Sequence, residues 1–223
     1  MVTAFRAFRL LGLISILLLF NACATSRGEM SLRVPAGAAG PSNGQTAVIL
    51  AVSDQREFQQ DPRDPSIPSL KKGEKFELDA EGRKRAVARK RNSYGMALGD
   101  IMLEGGDTVE TLTRDLVASG LRERGYQVLE AGEAAPSGAM RLNVGIKEFW
   151  AWFSPGFWAV SMEAKLLIQI DAEGPGGRQS FAVPGYGINK AGAATEANWI
   201  LAYDRAFEDY LEKQRVAFAE GGL

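Results

Sequence analysis

With 223 residues, 26 Lys and Arg balanced by 27 Asp and Glu, one Cys and no His, the chain is long enough for one domain with a substantial core, and it carries no global field that would recruit nucleic acid. The missing imidazole excludes Ser-His-Asp and Cys-His nucleophiles and every His-bearing zinc site, and a lone cysteine excludes an internal disulfide. The expectation is a protein without catalysis, metal or cofactor.

The chain opens with Arg6 and Arg9, an apolar run from Leu10 to Phe20 and then a small residue, the order of a secretory leader over 1–22. The run is too short to span a bilayer, which takes about 20 apolar residues. With Cys23 directly after the cleavage point, Leu19-Phe20-Asn21-Ala22-Cys23 resembles a bacterial lipoprotein signal. That resemblance implies that Cys23 is acylated, becomes the new N-terminus and anchors the chain in a membrane. Ala24, standing where Asp would signal retention, implies the periplasmic side of the outer membrane. The alternative is an ordinary leader cut near Ala22 or Ala24, with Cys23 incidental. Residues 23–45 are rich in Ala, Gly, Ser and Pro and read as a flexible tether, leaving 46–220 as a single α+β domain.

Thr46 to Val52 is an apolar, β-branched run that reads as a buried central strand, closed by the polar trio Asp54-Gln55-Arg56. Pro62, Pro65 and Pro68 then exclude regular structure from the next loop. Arg83-Lys84-Arg85 and Arg89-Lys90-Arg91 bracket Ala86-Val87-Ala88, either as a patch for anionic headgroups or as a solvated strand and loop. Asn92 to Leu103 reads as a strand or hairpin arm. A helix follows with Asp107 as cap, Glu110 three residues on, and Val109, Leu112, Leu116, Val117 and Leu121 at helical spacing up to a left-handed stop at Gly125.

After a short strand at Tyr126 to Leu129, two long strands alternate. Even positions Met140, Leu142, Val144, Ile146, Trp150 and Trp152, then Trp158, Val160, Met162, Ala164, Leu166, Ile168 and Ile170, are expected inside. Glu148 breaks the pattern and signals a bulge or fraying at that point. Phe149, Phe153 and Phe157 fall on the odd side near the turn, where they form either an exposed aromatic tip that contacts a membrane or protein partner, or a group covered by a helix or by the proline loop. An edge strand from Arg178 to Ile188, interrupted at Pro184-Gly185, and a helix from Ala193 or Thr195 to Ala219 complete the chain.

These pieces predict α+β architecture, with a mixed or antiparallel sheet of five or six strands and two helices on one face. The order of elements, with Asp54-Gln55-Arg56, Asn92-Ser93-Tyr94-Gly95-Met96 and the helix exit Gly125-Tyr126, resembles the YajG-type bacterial lipoproteins over roughly Thr46 to Phe218. The resemblance implies a periplasm-facing, lipid-anchored domain without established activity. The working expectation is therefore a binding or assembly module with a membrane anchor and an envelope protein or lipid as partner. Two alternatives stay open: a lipid or glycolipid carrier, and a hydrolase using Asp54 or Asp64 beside Arg56.

Overall fold

The computed structural model describes residues 27–70, 80–92, 96–129, 132–156 and 158–223. The leader and Cys23 lie outside them. Among the described residues the chain runs β1 (Gly28–Met30), β2 (Thr46–Asp54), α1 (Ala80–Arg85), β3 (Ala86–Arg91), β4 (Ala97–Leu103), α2 (Val109–Glu123), β5 (Gln127–Leu129), β6 (Met140–Pro155), β7 (Val160–Gly174), β8 (Gly177–Ala191) and α3 (Glu196–Glu220). The fold is α+β with one open, mixed, eight-stranded sheet. That exceeds the expected five or six strands because β1 lies in the stretch read as tether and β3 takes in the second basic run.

β6 is the axis of the sheet. Along one edge it pairs antiparallel with β7, which pairs in turn with β8. Its other edge is shared: β2 runs parallel to it from Met140 to Ile146, and β3 joins it at Ala151. β5 extends the β2 side in parallel, while β4 and then β1 extend the β3 side. The sheet therefore forks at the middle of β6.

At the same place the β6–β7 register slips, with Ile146 opposite Ile168 and Glu148 opposite Leu167, so Lys147 is one extra residue. The bulge expected at Glu148 is present, and it reverses the parity of everything after it because side chains alternate with a period of two. Even residues up to Ile146 face the helices; beyond the bulge the odd residues Phe149 and Ala151 do so, both fully buried. β7 has no bulge, and Met162, Ala164, Leu166, Ile168 and Ile170 stay inside throughout. Trp150 is buried on the opposite face in a second cluster with Ala86 and Met102, under Phe58 and Leu70 of the proline-bearing loop.

Both long helices pack into one core on the other face. α2 is capped one residue later than expected: the Thr108 hydroxyl accepts from the Thr111 amide at 3.1 Å and the Thr111 hydroxyl from the Thr108 amide at 3.0 Å. The expected stop is present, with Gly125 at φ 82°, its amide donating to the Arg122 carbonyl and the Tyr126 amide to Leu121. α3 lies directly on the edge strand β8, because Gly185 and Gly187 leave room for the helix backbone at Ala206 and Ala202. β8 is continuous through Pro184, which an edge position tolerates.

The tether is corrected from residue 28 onward. β1 pairs with β4, and Met30 and Leu32 are buried at 1% and 2% exposure. The following stretch straps α2: the Gly40 amide donates to Arg122, the Asn43 amide to Gly125 and the Asn43 side chain to Arg124, the last at 3.0 Å. Glycine and proline serve close contact here, since a side chain at Gly40 would meet the Glu123 carbonyl. The alternation Met30, Leu32, Val34 was the available strand signal. Leu32→Ala should cost about 2–5 kcal/mol in denaturant unfolding, where a free tether would cost nothing.

Candidate functional site

The chain leaves β2 at Asp54 and turns back, with the Gln55 amide continuing the ladder to the Ile146 carbonyl at 3.0 Å. Arg56 then points into the fork of the sheet, its side chain wholly buried beside Asp54 at 10% exposure. Nε and Nη2 meet the two Asp54 carboxylate oxygens at 2.8 Å each. Nη1 donates to the carbonyls of Ala86 at 2.6 Å and Phe149 at 2.9 Å, and Nη2 also to that of Arg83 at 2.8 Å. The guanidinium carbon sits 5.1 Å from the centre of the Phe58 ring.

All five N–H groups of Arg56 are thus used inside the protein. The arrangement joins β2, the end of α1, the start of β3 and β6, and no donor is left for a substrate. Asp54 is equally committed, its Oδ1 accepting the Arg56 amide at 3.1 Å while its own amide donates to Glu110 at 3.3 Å. Asp64 is not part of this cluster. It accepts the Ser66 amide at 2.8 Å in its own turn, and hydrogen bonds from the Ser66 hydroxyl and amide hold its carboxyl below the usual range. A carboxylate kept ionised is poorly suited to act as a general acid. The cleft that an acid–base pair beside Arg56 would need is filled by the protein itself.

The aromatic tip is corrected in the same way. Phe149 is fully buried, stacked on Tyr203 at 5.4 Å between ring centroids and tilted against Phe207 at 6.0 Å. Phe153 is partly buried against the same core, so α3 covers this side, and Phe157 lies outside the described residues. Burial pushes the Tyr203 hydroxyl far above its ordinary pKa, and it donates to the Val87 carbonyl at 2.6 Å. Trp158, expected inside by its even number, is 91% exposed, and Met96 is 63% exposed. Trp158 precedes the first paired residue of β7, Val160, so the strand's alternation does not reach it.

The basic runs do not form a patch of solvated cations. Arg89 is 3% exposed and faces Asp61 at 3.6 Å, while Arg85 donates twice to the Leu103 carbonyl and once to Glu29. Open grooves lie among the described residues, and two of them flank the elements named above. One of about 510 Å³ runs between the strap and α2, lined by Leu32, Val34, Gly37, Thr111 and Ser119. The other, of about 560 Å³, lies over the helix-free face at Leu50, Arg141, Asn143, Asp171 and Ser180. Among the described residues no group of three His, Cys, Asp or Glu could hold a metal, and no helix is long and apolar enough to cross a membrane.

No protein-family model matches the chain, and no curated protein matches it. Among solved structures the chain is similar to an uncharacterised protein, at 14% identity over 86% of this chain and 99% of that one, with a TM-score of 0.39. It is also similar to a hemagglutinin homologue from Helicobacter pylori, at 10% identity over 87% of this chain and all of that one, with a TM-score of 0.31. Likeness at this level fixes neither family nor activity.

Arg56→Lys keeps the charge but loses the planar fork, leaving carbonyls of Ala86, Arg83 or Phe149 without a donor. It should lower unfolding free energy by about 2–4 kcal/mol, on the scale of breaking a buried ion pair. Phe149→Ser should likewise give a clear drop in Tm, because the ring belongs to the core and truncation of a buried Phe costs about 3–5 kcal/mol.

Proposed function

We propose that this chain is a non-catalytic, lipid-anchored envelope protein of the YajG type, held through Cys23 on the periplasmic side of the outer membrane, where its domain works as a binding or assembly module. The observation that carries the reading is the leader over 1–22 with Cys23 directly after it, separated by three residues from Arg27, the first described residue. Support also comes from chemistry: the chain has no histidine, and the pair Asp54 and Arg56 is consumed by structural bonds. Two or three acyl chains, as bacterial lipoproteins carry, give firm anchoring where one gives only marginal binding.

The carrier alternative calls for an apolar cavity between sheet and helices, and no observation favours it, since α3 rests on Gly185 and Gly187 without a gap. Nothing favours the hydrolase alternative either, since every N–H of Arg56 is bound within the protein. Cys23→Ser should move the protein from the membrane fraction to the soluble periplasm and from the detergent to the aqueous phase of a phase-partition assay. Unchanged partitioning, or a mature N-terminus found elsewhere by mass spectrometry, would refute the reading.

A further inference from the structure

Gly28, Ile101, Ala88, Ala151, Ala164 and Gly187 stand level across the sheet, each paired with the next. Four residues beyond that row β6 ends at Pro155, β8 ends at Ala191, β4 begins at Ala97 and β7 begins at Val160. The strands thus share one rim about 13 Å from the row, at about 3.3 Å per residue. The N-terminal end of β1 points to the same rim, because β1 is parallel to β4. Cys23 precedes Gly28 by five residues, which reach at most about 18 Å when fully extended. An acylated Cys23 therefore passes the rim by no more than about 5 Å, comparable to one interfacial headgroup layer.

We propose that this rim is a bilayer-contact surface, with Trp158 and Met96 seated among the lipid headgroups beside the Cys23 anchor. The two most exposed large apolar side chains of the described residues are at this rim, Trp158 in the β6–β7 turn at 91% and Met96 before β4 at 63%. Tryptophan is the side chain that prefers the membrane–water interface, and an exposed methionine adds flexible apolar area. Lys90 near the end of β3 and Lys190 near the end of β8 place positive charge at the rim, partly offset by Glu196 at the start of α3. This inference rests on the anchor reading, because the short span from Cys23 is what holds the rim to lipid.

The test uses the acylated full chain in vesicles of phosphatidylethanolamine and phosphatidylglycerol, with and without lipids brominated near the headgroup. Flotation reads the anchor; tryptophan quenching reads the rim. Trp150 and Trp199 are buried and shielded from bromine, and Trp152, partly buried against the second core, is read by the residual quenching that Trp158→Phe retains. The protein should float, its emission should be quenched by brominated lipid, and Trp158→Phe, an exposed substitution that leaves Tm unchanged, should abolish most of that quenching. A protein that floats yet shows no quenching, or the same quenching in Trp158→Phe, overturns the lipid contact while the anchor stands, and leaves a protein partner as occupant of the rim. A protein that fails to float overturns both.

Discussion

The guanidinium of Arg56 occupies the one place where the sheet would otherwise fail. β2 accompanies β6 only as far as Ile146 and β3 joins it only at Ala151, so the Phe149 carbonyl between them has no strand to pair with. A buried carbonyl left without a donor costs about 1–3 kcal/mol. Arg56 supplies that donor, together with one for Ala86 at the first residue of β3 and one for Arg83 at the end of α1. Asp54 balances the charge with both its oxygens, which makes the burial tolerable. The same stretch of β6 carries the bulge that turns Phe149 toward α3, so a side chain two residues beyond β2 holds open the fork that gives the protein two cores on opposite faces.

Much of this architecture was legible wherever a pattern runs without interruption. β7 keeps one parity over its whole length, and its inner residues could be read off directly. β6 could be read in the same way only up to Ile146, because one inserted residue exchanges its faces. The break at Glu148 marked the bulge, yet the consequence for Phe149 and Trp150 follows only when the extra residue is counted. Glu110 misled the cap assignment for an electrostatic reason: its carboxylate serves the Asp54 amide and Lys84, so Thr111 closes the box instead. The strap was hidden because composition averages over it. Ala, Gly and Pro dominate 34–41, but their smallness admits the chain against the end of α2.

The central cluster was legible as a motif and illegible as a function. Asp54-Gln55-Arg56 is visible at the end of an apolar strand, but the carbonyls that complete it lie 27, 30 and 93 residues away. Their positions depend on the sheet fork, which no local pattern encodes. A strand-end Asp and Arg therefore look alike whether they frame a substrate or tie a backbone. Counting donors separates the two, since a guanidinium with all its N–H groups bound internally has nothing to offer a ligand.

Order in the strap also changes what an anchor at Cys23 can do. A flexible stretch of roughly 20 residues would let the domain wander over an average span of about 25 Å from the membrane. Four residues cannot, because their full extension is only about 14 Å. Chain length then limits how far the rim can stand from the anchor, so little attraction between domain and lipid is needed to orient the domain. The apolar area at the rim can be small, as a single exposed Trp and Met are, and still select which way the sheet faces. In the orientation proposed above, the strands stand along the membrane normal, which carries the β2–β5 end of the sheet and its polar helix-free face, with Asn143 and Asp171, away from the lipid.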